Sequence, residues 1–338
     1  QQILTATLMA CSIKWALSYD QTNWSKVEHR VVSEFDIITQ YFSSLGAGDF
    51  VALSVGDDAA ALIVPAGSEL IVSTDTAVCG THFDEDLFPE DVAYKAVASA
   101  VSDLAAMGAE PLGMTLALTL PDNDPLWLQG LSQGLTRASS QYAIPLVGGD
   151  TTRGPLALTV TVMGHCPCGE KILRSGAAIG DLIYVSGTLG DAAFGLSLLA
   201  GEQRGLDLDF EDQDHLLSRF TAPEAHLDLG VRLRGEASSC IDVSDGLLQD
   251  AAHIANASGC KLIIESGLVP LSPALQRAVG ESRARDLALR GGEDYQLLFT
   301  LPPTGNPPSG AVRIGRVESG EGVECDVMPK ERGYDHFH

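Results

Sequence analysis

Positive charge is scarce in this chain. Lys and Arg number 21 against 45 Asp and Glu, a formal net charge of −24 over 338 residues. A surface of that sign repels a phosphate backbone, which excludes nucleic-acid binding through phosphate contacts. Long apolar runs are missing too. None approaches the ~20 residues that a membrane-spanning helix needs, so no membrane partner is expected. The seven cysteines form no paired framework: Cys166 and Cys168 make a lone C-x-C, with no second Cys/His pair at zinc spacing. Reduced thiols in a cytoplasmic protein are the expectation. The opening stretch QQILTATLMACSIKWALSYD has neither a basic leader region nor a clear small-residue cleavage site, so no signal peptide is read there. Two phosphate-binding signatures are also absent, the G-x-x-x-x-G-K-[ST] loop and the kinase-type G-x-G-x-x-G.

What is present is a globular α/β pattern, with 45% hydrophobic residues and a mean hydropathy of +0.12. Residues 1–33 show no clear period and are read as an extension. From Glu34 the chain alternates. EFDIITQYF reads as a helix; FVALSVGDD, AALIVP and ELIVSTD read as strands. PEDVAYKAVASAVSDLAAMG is a strong helix, with Pro89 at its start and Gly108 and Pro111 to stop it. LGMTLALTL, PLVGGD and LALTVTVMGH are strands around a helix, PLWLQGLSQGLTRASSQY, weakened at Gly130 and Gly134. A second block of the same kind begins near Gly169. Its strands are DLIYVSG, KLIIES, YQLLFTL and VRIGRV. Its helices are DAAFGLSLLAG, APEAHLDLGVRLRG and GLLQDAAHIANASG. The acidic segment LDLDFEDQDH, 206–215, reads as solvated surface. Two α/β domains are therefore expected, 34–168 and 169–338.

The informative acids lie among small residues. Five places share a short strand or helix end followed by Asp beside Gly, Ser or Thr: GDD (56–58), STDT (73–76), VSDLAAMGA (101–109), GGDTTRG (148–154) and DVSDG (242–246). Each also has a plain reading. Asp beside Gly is common turn chemistry, Ser244 or Asp245 could cap the helix from Leu247, and Asp75 could end a strand. Asp103 is harder to explain that way. It sits near a helix C-terminus, where the dipole disfavours an anion, with mostly apolar neighbours. A buried carboxylate needs a cation or a hydrogen-bond partner. Lys95 is the sole base between Arg30 and Arg137. A chain short of cations and rich in half-buried Asp should import them. Mg²⁺ suits, because it takes oxygen ligands, keeps several waters and brings substrate phosphates.

These segments, together with ILRSGAAIGDLIYVSGTLGDAAFGL, GGEDYQLLFT and the terminal GYDHF, resemble the thiamine-monophosphate kinase family. That family lies within the aminoimidazole-ribonucleotide-synthetase-like ATP-binding superfamily. The likeness runs in order from about Glu34 to Phe337. It implies ATP-dependent phosphorylation of thiamine monophosphate to thiamine diphosphate. It implies two α/β domains with the nucleotide and several Mg²⁺ ions between them, and a homodimer formed through strands of the N-terminal domain. By resemblance the metal ligands are Asp58, Ser73, Thr74, Asp75, Asp103, Asp150, Asp242 and Asp245. The ATP contacts are Gly149, Asp150, Arg174 and Ser244; the substrate contacts are His82, Glu293 and Tyr334. Asp57 is assigned behind Asp58, in support of it.

The acceptor on this reading is already an anion, so no general base and no catalytic side chain is assigned. Positioning and electrostatics carry the transfer, directly and without a phosphoenzyme. Sister branches fit less well. A selenophosphate-forming enzyme needs a reactive Cys in a Gly-rich N-terminal loop, which Cys11 lacks. A hydrogenase-maturation enzyme needs a C-terminal Cys, whereas this chain ends GYDHFH. A non-catalytic cation- or nucleotide-binding protein is the alternative of a different class.

Overall fold

The computed structural model describes residues 33–203, 206, 208–327 and 333. The chain forms two sheets with helices, one after the other. The first sheet has the order β3-β6-β4-β5 and comprises β3 (Ser68–Val78), β4 (Glu110–Leu120), β5 (Leu146–Arg153) and β6 (Ala157–Pro167). Before it stands a small hairpin of β1 (Val51–Leu53) and β2 (Ala61–Leu62). The expected helix EFDIITQYF is helical throughout, as α1 (Glu34–Ile37) continuing into a π turn over Ile38–Phe42.

Helix α2 (Pro89–Ala106) has Pro at its first turn beside Glu90 and Asp91, where the free N–H groups favour negative charge. It ends at Gly108, whose φ of 66° only glycine adopts readily. Helix α3 (Pro125–Tyr142) crosses it closely. A Cβ on Gly134 would lie 2.1 Å from the Glu90 carbonyl oxygen, and one on Gly130 would lie 2.6 Å from Pro89. The two helix-weakening glycines are therefore what permits the crossing. Val97, Val101 and Leu104 of α2 pack with Leu116, Leu118, Val160 and Val162 on one face of the sheet. Among the described residues no helix covers the opposite face. Leu70 and Val72 on β3 are 50% and 55% exposed there.

The second sheet runs β12-β9-β11-β7-β10-β8. Its strands are β7 (Leu182–Val185), β8 (Ser239–Asp242), β9 (Lys261–Ile264), β10 (Leu297–Leu301), β11 (Val312–Glu318) and β12 (Gly322–Cys325). All pairings are antiparallel except β12 with β9. Helices α4 (Asp191–Leu199), α5 (Phe210–Thr221), α6 (Leu227–Leu233), α7 (Leu247–Ser258), α8 (Pro273–Val279) and α9 (Glu281–Arg290) accompany it. One face packs on α7 and α9 through Ile183, Ile241, Leu248, Ile254 and Leu289. The other meets α6 and the end of α2, where Ala105 and Ala106 join Tyr184, Phe299 and Leu233. Helix α2 is thus shared by both sheets, and its polar residues face the junction.

Several expectations change. The strands read in FVALSVGDD and AALIVP cover only Val51–Leu53 and Ala61–Leu62, and β12 lies where no strand was expected. The acidic segment 206–215 is not plain surface. Asp209 caps α5, and Asp212 is buried in a bidentate pair with Arg277, whose Nε lies 2.6 Å from it. Helices α8 and α9 lie where no element was expected. The helix read in APEAHLDLGVRLRG covers only Leu227–Leu233. Residues 1–32 and the GYDHF segment beyond Gly333 lie outside the described residues.

Candidate functional site

Strand alternation decides which β3 side chains can meet α2. Ser73 and Asp75 point to the helix; Thr74 points away and shares a hydrogen bond with Thr161 on the uncovered face, 2.9 Å between hydroxyls. From α2, Asp103 accepts a short hydrogen bond from the Ser73 hydroxyl. One residue earlier, the Ser102 hydroxyl donates to Asp242 Oδ2 at 2.8 Å, tying α2 to the end of β8. Lys95, Ser99, Ser102 and Asp103 stand at i, i+4, i+7 and i+8, one polar stripe along a helix whose other residues after its first turn are apolar apart from Tyr94.

Three carboxylates are brought together and strain one another. Burial first, then Asp103 and Glu293, push the Asp75 carboxyl up to about 6. Burial and Asp103 push Asp242 up to about 7, against the Ser102 hydrogen bond. Among the described residues no hydrogen-bond donor reaches Asp75. Its position also settles one alternative: Asp75 lies inside β3, three residues before the strand ends.

Two turns close the site from the second sheet. In DVSDG, Gly246 begins α7 without a side-chain cap, so neither Ser244 nor Asp245 caps it. Instead Asp250 reaches back and accepts the backbone N–H groups of Ser244, Asp245 and Gly246, each at 3.1 Å. The GGEDY turn lies against it, with the Glu293 N–H donating to the Ser244 carbonyl at 2.7 Å. A Cβ on Gly292 would lie 2.3 Å from that same oxygen, so only glycine fits. Glu293 and Tyr295 both have positive φ, 69° and 51°.

The result is a cleft of about 680 Å³ between the sheets, walled by Asp75, His82, Lys95, Ser244, Asp245 and Glu293 with the Phe220 and Tyr295 rings. A second cavity of about 450 Å³ is lined by Ser73, Asp103, Arg174 and Asp242. The cleft offers acids, hydroxyls and an apolar wall.

Comparison with known proteins fits this architecture. The family described as AIR synthase related protein, N-terminal domain, matches residues 56–166; its C-terminal domain matches 178–327. The thiamine-monophosphate kinase of Escherichia coli K12 is 47% identical over 325 residues, which cover 90% of this chain and 98% of the relative. The chain belongs to the thiamine-monophosphate kinase family. The crystal structure of the family member from Stenotrophomonas maltophilia K279a matches with a TM-score of 0.77 at 40% identity, over 84% of this chain and 93% of that one. A ThiL structure complexed with AMPPCP and TMP matches with a TM-score of 0.75 at 34% identity, over 90% and 97% of the two chains.

The residues that family resemblance assigns do not all meet in one chain. Asp75, His82, Ser244, Asp245 and Glu293 line the cleft; Ser73, Asp103, Arg174 and Asp242 line the neighbouring cavity. The His82 ring is held at the end of β3, its Nδ1 accepting the Val78 N–H at 3.1 Å. Asp58, Gly149 and Asp150 line neither. Asp57 and Asp58 lie in the β1–β2 connection, exposed, with the Asp58 N–H donating to Asp57 Oδ1 at 2.8 Å. Asp150 pairs in register with Ala117, on the uncovered face at the far edge of the sheet from β3. Tyr334 lies outside the described residues. Missed by sequence reasoning were Lys95, Phe220, Tyr295 and Asp250. The helical stripe from Lys95 to Asp103 was the available signal for the first.

Among the described residues no three His, Cys, Asp or Glu side chains are gathered closely enough to hold a metal by themselves. The donors near the junction are hard oxygens, carboxylate and hydroxyl. That set matches a cation whose remaining ligands are water and phosphate. Cys166 is buried and Cys168 exposed, so the C-x-C pair offers no joint thiolate site. No helix among the described residues is long and apolar enough to cross a membrane.

Proposed function

We propose that the chain is a cytoplasmic kinase that phosphorylates thiamine monophosphate to thiamine diphosphate with ATP and Mg²⁺. The observation that carries this is the acid group of half-buried Asp75 and Asp103 with buried Asp242, gathered at the junction of the two sheets and short of donors. Its placement is unfavourable in the empty protein and is explained by a cationic ligand. Family membership and the nucleotide- and TMP-bound ThiL structure support the choice of substrates.

Mg²⁺, when bound, supplies positive charge between the phosphates and lets two anions approach. The chain's own residues do the rest. Ser73, Asp75, Asp103, Asp242 and Asp245 would hold the metal ions. Arg174 and Ser244 would contact the nucleotide. Helix α2 fixes the acids to both sheets at once, so the site is set before substrate arrives. The acceptor phosphate needs no proton removed. Phe220, Tyr295 and Leu196 line a wall suited to an organic ring, and Glu293 and His82 offer polar contacts beside it. Transfer is direct and in line, with no phosphoenzyme.

The functional unit is a homodimer. Its support is the uncovered face of the first sheet, with Leu70 and Val72 exposed and a ladder of Thr74–Thr161 and Thr76–Thr159 hydroxyl pairs. Asp150 lies on that same face, so Thr74, Asp58, Gly149 and Asp150 join the site only in the assembled pair. Residues 34–168 and 169–338 form the two domains, and residues 1–33 lie outside the family pattern.

Measuring ADP formation with and without thiamine monophosphate, in Mg²⁺ and in chelator, tests the reading. Turnover is expected only with both substrate and metal. ATP hydrolysis indifferent to thiamine monophosphate, or turnover unaffected by chelator, would overturn it.

A further inference from the structure

Lys95 is the feature that the metal–nucleotide account leaves unexplained. It is 6% exposed in the middle of α2, among Ala and Val. A lysine there gives up most of its hydration, and burial pulls its pKa down from the usual amine range. Two groups from the second sheet's half of the chain meet it across the cleft. Glu293 Oε2 lies 2.7 Å from Nζ, and the Phe220 ring centroid lies 3.2 Å from it. The Tyr295 hydroxyl donates to that same Glu293 oxygen at 3.2 Å. Both bonds converge on Oε2. They leave Oε1 as the atom the carboxylate can offer to a ligand. Glu293 itself sits at φ 69°, a conformation that a residue other than glycine keeps only when its surroundings over-determine it. Its side chain keeps 28% exposure, on the cleft side.

A pair whose only purpose was to join the two halves would not need a carboxylate on strained backbone, doubly anchored through one oxygen at a cleft wall. We propose that Lys95 is the positioning residue of the organic end of the cleft: it orients Glu293 so that Oε1 faces the substrate. Lys95 does not touch the reacting phosphates. Its ammonium, 2.7 Å from Oε2, fixes the carboxylate in place, and through it selects a ligand that presents a hydrogen-bond donor or a ring cation at the apolar wall. This rests on the kinase reading above, in which that ligand is thiamine monophosphate.

The test is a double-mutant cycle of Lys95→Met and Glu293→Gln, read by steady-state kinetics. Lys95→Met is expected to raise the KM for thiamine monophosphate about tenfold, leaving the KM for ATP and kcat within about twofold, the pattern of lost binding shared by ground and transition states. The double variant is expected to be no worse than Glu293→Gln alone. Should Lys95→Met not fold, Lys95→Gln keeps an N–H donor at the site and carries the same readouts. An unshifted KM for thiamine monophosphate, additive effects in the cycle, or equal rises for both substrates would overturn the inference. Failure of the kinase reading looks different: the unmodified chain would show no turnover with thiamine monophosphate.

Discussion

Asp250 and Asp294 are as buried as Asp242, at 2%, 0% and 4% exposure, yet the chain treats them differently. Asp250 accepts three backbone N–H groups and shapes the DVSDG turn. Asp294 accepts the N–H groups of Gly190 and Ala192, at 2.7 and 3.3 Å, and fixes the start of α4. Burial still pushes both carboxyls up, to about 8 and about 7, but each is saturated by donors that the fold itself provides. Asp242 and Asp103 have one serine hydroxyl each, and Asp75 has none among the described residues. One set of acids builds turns. The other set waits for positive charge. Burial does not set Asp242 apart from Asp250 and Asp294; the supply of donors does.

The widest separation between the two sets should appear in activity. Asp75→Asn and Asp103→Asn are each expected to lower kcat/KM by about two to three orders of magnitude, the scale of one lost electrostatic contact to transferring phosphates. Steady-state kinetics at saturating Mg²⁺ checks this, with circular dichroism to confirm the fold. Near-normal turnover in either variant would move that acid to the structural set.

Stability should respond in the opposite sense. Asp294→Ala leaves two buried N–H groups without partners and is expected to lose about 2–4 kcal/mol in denaturant unfolding. A loss below about 0.5 kcal/mol, the range of an ordinary surface change, would mean that water replaces the carboxylate.

Acidity sharpens the comparison further. Folding raises Asp75 from 3.8 to about 6, and Asp242 from 3.8 to about 7. A group raised in this way favours the folded state below its unfolded pKa, and that contribution is lost as the pH rises through the folded one. Metal-free protein should therefore lose stability between about pH 4 and pH 7. Asp250 and Asp294 shift in the same direction but are common to a variant and its parent. The difference between the parent chain and Asp75→Asn isolates the cleft: the variant's relative stability should climb across that interval. A flat difference would contradict the burial-and-repulsion account of Asp75.

The smallest effect is expected at Thr74. Its side chain leaves β3 on the face opposite Asp75 and reaches the site only in the assembled pair, so Thr74→Val should raise the Mg²⁺ needed for half-maximal turnover by only about two- to threefold. An unchanged Mg²⁺ dependence would mean that the uncovered face stays outside the metal site.

Much of this was legible in the sequence. The α/β alternation, the strong helix from Pro89 and the acids that matter all stand out, because period and turn chemistry are local. Helix α5 was hidden, because its acids read as solvent-facing until Arg277, 65 positions away from Asp212, supplied a partner. Asp150 was placed with the acids because its GGD motif is local, whereas the strand order that sends it to the far edge is not. Thr74 could have been separated from Ser73 and Asp75 by alternation alone. Lys95 was visible as the lone base of its region and as the head of the polar stripe on α2. Its partner, though, lies almost two hundred positions further on, at Glu293.

Thermal unfolding of the parent chain and Asp75→Asn at about pH 7.5, with and without Mg²⁺ and AMPPCP, tests the central claim most directly. Without ligand the variant should be at least as stable as the parent. With saturating ligand the parent should rise by about 5 °C or more and overtake a variant that gains little. A variant that is markedly less stable without ligand, or that gains as much as the parent with it, would show that Asp75 serves the fold and not the cation.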